Sequence, residues 1–324
     1  MTLSTPITSR EDRSAWFERQ ADPEASPLLH PGPLDALWFQ VTGTVCNIRC
    51  GHCFIACGPT NRAFGFLSVD EIDRRLEESV ALGVREYYFT GGEPFLHPDI
   101  VEILTRALAR GPTTVLTNGT LLQPHHAEPL AEAAAQSRFS LEFRLSIDGF
   151  DRATHDALRG EGTFERALDG LELLLAHGFL PIVTAVRTWL PGDEPEAYRA
   201  FVAMLRARGY RNPRIKLLPI FRIGAEAERA GYAADERVTT RMVAGYDPDL
   251  LLCSSARVVT DRGIWVCPIL LDAPDGKLGD DLAAAAARPF RLGHAACTTC
   301  WMHGAVCANP GAAIPEAGLA PDPP

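Results

Sequence analysis

The sequence predicts an α/β fold: a barrel of parallel strands, closed or partly open, followed by a small cysteine-rich unit. Six apolar strand-like segments alternate strictly with amphipathic helical segments between residues 37 and 220. Hydrophobic residues make up 46% of the 324 residues, which is enough for one large core. Strict alternation implies parallel strands with right-handed crossovers, and leaves an open doubly wound sheet as the alternative.

Each predicted strand leads into a helix, and the first helix has a clear start signal. The predicted strands are 37–45, 86–90, 113–117, 140–148, 182–188 and 214–220. The predicted helices are 68–83, 98–109, 124–136, 154–158, 163–177 and 195–208. Ser68 and Glu71 form the capping-box pattern, and Gly83 marks the end of that helix. Ligands are expected at the carboxyl ends of the strands in either architecture.

The flanking segments differ from the barrel in composition. Residues 1–35 are rich in proline, serine and charge, and we predict an irregular N-terminal extension. Residues 36–225 form the predicted barrel. Residues 226–310, rich in Gly, Ala and Pro, predict a small domain held by metal rather than by a large core. The low-complexity stretch 311–324 predicts a disordered tail.

Charge and cysteine usage limit the possible partners and compartments. The net charge is −10, which argues against nucleic acid or anionic lipid as the main partner. No apolar run is long enough to span a membrane, and the polar N-terminus lacks the apolar core of a secretory signal. We therefore expect a cytoplasmic protein, in which nine cysteines bind metal or do chemistry rather than form disulfides.

Three cysteines follow the first predicted strand in the segment CNIRCGHC. Cys46, Cys50 and Cys53 have the spacing C-x3-C-x2-C. Three thiolates can hold three irons of a [4Fe–4S] cluster and leave one iron for another ligand. A zinc knuckle is the alternative, although zinc prefers a fourth protein ligand. At the end of the second strand stands Gly91-Gly92-Glu93-Pro94, where glycines permit close approach and a carboxylate suits an ammonium group.

The cysteine triad and the GGEP segment together resemble the radical S-adenosylmethionine (SAM) superfamily. The resemblance covers about residues 36–225 and implies a partial (β/α)6 TIM-like barrel. It implies that SAM binds the open iron through its amino and carboxylate groups, with GGEP recognising the amino group. It further implies a flavodoxin- or ferredoxin-type reductant, cleavage of SAM to a 5′-deoxyadenosyl radical, and hydrogen abstraction from a substrate carbon.

The resemblance implies further SAM contacts at later strand ends. These candidates are Asn118, Ser146, Asp148, Arg187, Arg159 and Leu218. Arg187 and Arg159 are rivals for the SAM carboxylate, and the segments 217–220 and 222–225 are expected near adenine. Each has an ordinary alternative, because Asp148-Gly149 is a common turn pair and either arginine could form a surface ion pair.

Two more residues lie in or just after the triad loop. His52 is expected to pack against the cluster rather than to ligate it. Cys57 is the candidate catalytic residue, as a hydrogen-atom donor. The alternative is that its thiol is a small buried hydrophobe.

The C-terminal cysteines form the second group, which is Cys253, Cys267, Cys297, Cys300 and Cys307. Cys253, Gly263 and Cys267 resemble the C…G…C hairpin of twitch or SPASM extensions, although the gap from Gly263 to Cys267 is shorter than in that pattern. The resemblance implies one auxiliary [4Fe–4S] cluster, saturated by the first four, with Cys307 as an extra or substitute ligand. Structural zinc is the alternative.

The resemblance implies a net oxidation or rearrangement in which the auxiliary cluster accepts an electron. The substrate is open between a ribosomal peptide, modified by cross-linking or epimerisation, and a small molecule such as an aminocyclitol or sugar alcohol. Residues 1–35 are too few for the peptide-recognition domain of many relatives, which weakens the peptide hypothesis. A non-enzymatic metal-binding adaptor is disfavoured by the intact triad and GGEP.

Overall fold

A computed structural model describes residues 16–18, 20–230, 236–271, 273–304 and 306. Its strands are β1 (Phe17–Glu18), β2 (Leu28–Leu29), β3 (Ala36–Gln40), β4 (Glu86–Thr90), β5 (Thr113–Thr117), β6 (Leu141–Ser146), β7 (Ile182–Val186), β8 (Arg214–Leu218), β9 (Ala256–Thr260), β10 (Gly263–Trp265), β11 (Lys277–Gly279) and β12 (Phe290–Arg291). Its α-helices are α1 (Val69–Ala81), α2 (Ile100–Leu108), α3 (Pro124–Gln136), α4 (Arg152–Arg159), α5 (Thr163–Ala176), α6 (Glu194–Ala207), α7 (Ala225–Ala230), α8 (Leu282–Ala287) and α9 (Ala295–His303).

Strands β3 to β8 lie side by side in chain order, and every neighbouring pair is parallel. A doubly wound sheet would reverse its strand order part-way, so the sequential order decides for the barrel architecture. Within the described residues β8 pairs only with β7, so this edge of the sheet is open. The predicted partial (β/α)6 barrel is confirmed.

The C-terminal segment extends the same sheet beyond β3. Strand β9 pairs in parallel with β3, and β10 and β11 continue outward as antiparallel strands. The cysteine-rich segment is therefore joined to the barrel by main-chain hydrogen bonds, a connection that the sequence did not predict. The boundary near residue 226 stays a prediction.

The N-terminal segment also differs from the irregular structure predicted for it. Strands β1 and β2 pair with each other, and β2 pairs with β12. Trp16 is buried, and a Cβ on Gly32 would lie 2.2 Å from its ring. Two-residue strands carry no periodic pattern, so the sequence could not reveal them. The predicted tail, 311–324, lies outside the described residues.

The first barrel strand ends earlier than predicted. After Gln40 the chain turns. The Gly43 N–H donates to the main-chain carbonyl of Gln40, and the side-chain amide of Gln40 donates to the Gly43 carbonyl. Gly43 takes a φ of 54°, which glycine adopts without strain. The turn places the following cysteines at the carboxyl end of the sheet.

Helix α1 shows why the capping signal was useful. The Ser68 hydroxyl accepts a hydrogen bond from the Glu71 N–H, as predicted. The Glu71 carboxylate binds Arg74 and Arg75 instead of accepting a hydrogen bond from the Ser68 main-chain N–H, so only half of the capping box forms.

None of the helices in the described residues is long and apolar enough to cross a lipid bilayer.

Alternate residues of β3 face two different environments. Trp38 stacks on Tyr88 with ring centroids 4.3 Å apart inside the barrel. Phe39 stacks on Phe89 at 5.0 Å and belongs to the core between the sheet and the helices. One face of the sheet therefore surrounds the barrel interior, and the other face forms the hydrophobic core together with the helices.

Candidate active site

The loop after β3 brings its cysteines to one cavity of about 220 Å³ inside the barrel mouth. Cys46, Cys50, Cys53 and Cys57 all line this cavity. The loop is closed at its base, because Cys46 N–H donates to the Gly58 carbonyl and Gly58 N–H donates to the Thr44 carbonyl. The triad predicted from spacing is thus assembled in three dimensions.

The GGEP segment packs directly against the start of the cysteine loop. A Cβ on Gly92 would lie 2.0 Å from the Val45 carbonyl oxygen, and one on Gly91 would lie 2.2 Å from Thr42 Oγ1. Both glycines also line the cavity. The two glycines allow the two loops to pack closely. This packing fixes the position of their backbone in the cavity wall.

Glu93 lies behind this wall and does not line the cavity. Its Oε1 accepts from Phe95 N–H and Thr117 Oγ1, and its Oε2 accepts from Asn118 N–H at 2.8 Å. Burial raises the pKa of Glu93 to about 7, against the lowering effect of these hydrogen bonds. Its carboxylate is therefore engaged by its own chain, and a contact with a SAM ammonium group stays a prediction.

Pro94 is also buried and opens the short 3-10 helix Pro94–Leu96. It does not line the cavity, in contrast to Gly91 and Gly92. Its place at the helix start fits its fixed φ. A contact of Pro94 with a cofactor stays a prediction.

Asn118 contacts the first cysteine of the triad. Its Nδ2 lies 3.7 Å from Cys46 Sγ and 2.9 Å from Asn47 Oδ1. Ser146 and Leu218, from the ends of β6 and β8, line the same cavity. The sequence prediction that polar groups from separate strand ends meet at one rim agrees with this arrangement.

Asp148 is the centre of a buried charge cluster beside the triad. Arg159 Nε donates to Asp148 Oδ2, and His52 Nε2 lies 3.1 Å from the same oxygen. Val186 N–H donates to Asp148 Oδ1 at 2.7 Å. Burial alone would raise the pKa of Asp148, but the Arg159 guanidinium and His52 hold it well below its usual range. Asp148 stays ionised and fixes the side chains of Arg159 and His52.

The two arginines predicted as rivals occupy different places. Arg159 lines the cavity, with Nη1 4.0 Å from Cys50 Sγ. The Arg187 side chain is more than one-third exposed, and its Nε forms an ion pair with Glu194 Oε2 at 3.0 Å. Arg187 does not line the cavity. The geometry favours Arg159 for an anionic group bound next to the triad.

The segment 222–225 packs against the cysteine loop. Ala225 N–H donates to the Cys53 carbonyl at 2.9 Å, and a Cβ on Gly224 would lie 2.3 Å from the Phe54 carbonyl oxygen. The preceding residues 218–221 line the cavity. The glycine at 224 is thus required by contact with the loop.

Three of the four thiols of this cavity, those of Cys46, Cys50 and Cys57, resist ionisation in the absence of a cation. Burial raises the pKa of Cys46 to about 12 and that of Cys50 to about 11. A hydrogen bond from the Cys57 thiol lowers the pKa of Cys53, and the same bond raises the pKa of Cys57. A metal cluster supplies the positive charge that buried thiolates need, so this donor set fits one.

The comparison with protein families decides the identity. Residues 41–205, about half of the chain, match the Radical SAM superfamily. The chain belongs to the radical SAM superfamily. Members of this superfamily use a [4Fe–4S] cluster and SAM, and the cavity described above carries the cysteine triad that fits such a cluster.

Three curated relatives each match less than half of the chain. An AdoMet-dependent heme synthase of Methanosarcina barkeri is 40% identical over 41% of this chain and 37% of its own length. The subtilosin biosynthesis protein AlbA of Bacillus subtilis is 32% identical over 46% and 32%. A GTP 3′,8-cyclase of Geobacter sulfurreducens is 34% identical over 42% and 41%. The chain thus spans roughly a third to two fifths of these relatives.

Solved structures extend the likeness of fold to most of this radical SAM chain. SuiB of Streptococcus suis, bound to its precursor peptide SuiA, has a TM-score of 0.59 at 18% identity, covering 81% of this chain and 66% of that one. The structure of anSMEcpe with bound AdoMet has a TM-score of 0.56 at 16% identity, covering 78% and 77%. At such identities the likeness concerns the fold.

The radical SAM barrel is followed by a second, smaller cysteine cavity of about 20 Å³. Its cysteines are Cys253, Cys267, Cys297 and Cys300. Its other lining residues are Leu251, Leu252, Val266, Ile269, Leu270, Phe290, Leu292 and Ala296. Four of the predicted auxiliary ligands therefore meet in an apolar environment, while Cys307 lies outside the described residues.

Short elements position these four thiols. Cys253 lies in the 3-10 helix Leu252–Ser254, and Cys267 follows β10. Cys297 and Cys300 are three residues apart on α9, so they share one helix face. Gly263 begins β10 with a φ of 103° after the tight turn from β9, as the hairpin pattern predicted.

A single metal ion fits neither cavity well. In the described part of the chain, no three His, Cys, Asp or Glu side chains are close enough to surround one ion. Zinc needs its thiolates within about 2.3 Å of a common centre. The auxiliary cluster at the C-terminal cysteines stays a prediction.

The sequence prediction missed the residues that face the barrel interior. Trp38, Gln40 and Arg144 line the main cavity, and the Arg144 guanidinium lies 5.2 Å from the Tyr88 ring centroid. For Arg144 the available signal was the alternation of polar residues along β6, at Glu142, Arg144 and Ser146. Ile269, which lines both cavities, had no signal in the sequence.

Proposed function

We propose that this radical SAM protein is an oxidoreductase with a second iron–sulfur centre held by Cys253, Cys267, Cys297 and Cys300. The observation that carries the proposal is the meeting of these four thiols in one apolar cavity, next to the barrel cavity. Ile269 lines both cavities, so a single side chain belongs to both walls. Such proximity suits the passage of an electron.

In the main cavity, the residues of the chain bind and orient. Cys46, Cys50 and Cys53 would hold the cluster, and Arg159, fixed by Asp148, would bind the carboxylate of SAM. When bound, the cluster and SAM supply a 5′-deoxyadenosyl radical that removes a hydrogen atom from a substrate carbon. Apolar residues such as Phe221 and Ile269 limit the access of water to this space.

The proposed net reaction is an oxidation. The substrate loses one hydrogen atom to the SAM-derived radical, one electron to the second centre and one proton to solvent. A flavodoxin- or ferredoxin-type reductant would supply the one electron that cleavage of the SAM sulfonium bond requires. A closed centre with four protein ligands suits electron transfer better than substrate binding, because no iron is left open.

Iron analysis after anaerobic reconstitution tests the second centre. We expect about eight iron atoms per chain, with matching sulfide, if both sites hold four-iron clusters. The variant Cys253→Ala/Cys267→Ala should retain about half of that iron. About four iron atoms in the unsubstituted protein, with one zinc ion, would contradict the proposal.

For the substrate, we propose a peptide side chain. The support is comparative: SuiB is bound to a precursor peptide and anSMEcpe to the Cp18Cys peptide in solved structures of this fold. The test offers the reconstituted enzyme a short peptide encoded beside its gene and, separately, aminocyclitols and sugar alcohols. Product that forms with 5′-deoxyadenosine only from the small molecules would refute the peptide proposal.

A further inference from the structure

A buried cation, Arg257, lies beside the second cysteine site. The side chain is 1% exposed and lies on β9, four residues after Cys253. All five of its N–H donors are used by main-chain carbonyl groups. These belong to Cys253, Ala256, Ala285, Ala286 and Arg288, at 2.7–3.2 Å. Its hydrogen bonds are therefore complete.

The charge of Arg257 is not balanced by a carboxylate. In the described residues no Asp or Glu forms an ion pair with this guanidinium, although most other arginines of the barrel and its helices have one. Burial lowers the pKa of Arg257 to about 10, and the Cys253 and Cys267 thiols partly offset this shift. A guanidinium is protonated at neutral pH whatever its surroundings, and a buried charge without a counter-ion is costly.

The acidic groups that act on Arg257 are the Cys253 and Cys267 thiols of the second site. Arg257 Nη1 donates to the carbonyl of Cys253 at 2.8 Å, and the surrounding side chains of the cavity are apolar. In such a low-dielectric environment a fixed positive charge acts strongly on nearby negative charge. A thiolate-ligated cluster gains one more negative charge when it is reduced.

We propose that Arg257 is the counter-charge of the second centre and makes it a better electron acceptor. This inference rests on the proposed function, because it requires a cluster at these cysteines. Arg257 is a positioning residue: it touches the cysteine backbone and contacts no substrate. Reduction of the centre takes one electron, which the substrate radical gives up, and the fixed charge of Arg257 balances it without uptake of a proton.

The test is a redox titration of the second centre, followed by electron paramagnetic resonance, in Arg257→Gln and Arg257→Lys. In Arg257→Gln we expect the equilibrium constant for reduction to fall about tenfold, a shift of about 59 mV to lower potential for one electron. Arg257→Lys keeps the charge and loses most of the carbonyl bonds, so its potential should stay near that of the unsubstituted protein.

Arg75→Gln is the matched control. Arg75 is also buried and donates to a main-chain carbonyl, that of Asp280, but it is paired with Glu71 and Glu78 on α1. Its loss should leave the potential unchanged.

Each outcome bears on the proposal in one direction. An unchanged potential in Arg257→Gln would overturn it, as would an equal shift, or equal loss of iron, in Arg257→Lys. Loss of the centre in Arg257→Gln alone supports it, since the charge is then required. If the unsubstituted protein holds no second cluster, the proposed function fails, and this result is recognised from the iron content before any titration.

Discussion

The two cysteine cavities differ in size, polarity and the use of charge. The barrel cavity holds about 220 Å³ and is lined by the triad together with Asn118, Asp148 and Arg159. The C-terminal cavity holds about 20 Å³, and its lining residues other than cysteine are all apolar. Polar groups around three thiols suit the binding of a charged cofactor, whereas four thiols in an apolar pocket suit a closed centre.

Counter-charges are arranged differently at the two sites. Near the triad, the Arg159 cation is paired with the buried carboxylate of Asp148. Near the second site, Arg257 is bound by carbonyl groups alone among the described residues. The pairing with Asp148 fixes the orientation of the Arg159 guanidinium. The carbonyl groups around Arg257 carry no net charge, so its positive charge is left to act on the second cysteine site. Four predictions test this difference.

The largest effect is expected from the cysteines themselves. Replacing Cys46, Cys50 and Cys53 by Ala should reduce 5′-deoxyadenosine formation from SAM under dithionite to background, because the cluster loses its ligands. The variant Cys253→Ala/Cys267→Ala should still cleave SAM but lose product formation. Chromatographic assay of both compounds makes the comparison.

Either of two results would contradict the separation of roles. SAM cleavage by the triple variant would place the SAM-binding cluster elsewhere. Normal product formation by the double variant would leave the C-terminal site with a structural role only.

The second prediction concerns Asp148. In Asp148→Asn the buried Arg159 loses its counter-ion, so we expect a loss of about 3–5 kcal/mol in the free energy of unfolding. Urea unfolding of the reconstituted protein measures it. The exposed pair of Arg222 and Glu236 provides the control, since Arg222→Gln should cost no more than about 1 kcal/mol. Similar losses in both variants would show that Asp148 and Arg159 are not effectively buried.

The third prediction uses the pH dependence of Glu93. Its pKa is about 7 in the folded protein, against 4.5 as the ordinary value, so the folded state holds this proton more tightly. The resulting stabilisation is complete below pH 4.5 and is lost as the pH rises through about 7. The free energy of unfolding should therefore fall by about 3 kcal/mol across this range relative to Glu93→Gln.

The difference between the two proteins is the measured quantity, because other groups titrate in both. Urea unfolding at a series of pH values from 4.5 to 8 gives this difference directly. A constant difference would mean that the hydrogen bonds from Thr117 and Asn118 outweigh burial and keep Glu93 ionised throughout.

The sequence predicted the architecture and most of the main cavity. Strands β4 and β5 and helix α3 have the predicted bounds, because nearby Gly or Pro residues bound the two short strands and Pro124 marks the start of the helix. The triad, Gly91 and Gly92 line one cavity because they follow strands whose carboxyl ends meet. Local sequence patterns therefore predicted both the fold and the residues at the carboxyl ends of its strands.

The parts that the sequence did not predict depend on contacts between distant segments. The pairing of β9 with β3 joins residues more than two hundred positions apart, and no local pattern specifies it. Arg187 and Arg159 look equivalent in the sequence, and only the position of Asp148 separates them. The hydrogen bonds of the Glu93 carboxylate to main-chain donors of its own loop and of the end of β5 were not predicted, because they join separate segments. Such choices are made by tertiary packing.

The smallest effect is expected for Cys57, the fourth thiol of the barrel cavity. Its main-chain N–H lies 3.3 Å from Cys53 Sγ, and its thiol donates to the same sulfur, so it is held against the triad rather than directed at a substrate. A net oxidation returns no hydrogen atom to the substrate, so the reaction needs no donor there. Cys57→Ala should lose one weak hydrogen bond of about 1 kcal/mol, and product formation should fall by no more than about fivefold. Cys57→Ser, which keeps a donor, should lie between Cys57→Ala and the unsubstituted protein. Continued SAM cleavage with complete loss of product in both variants would identify Cys57 as the hydrogen-atom donor, and would favour epimerisation over oxidation.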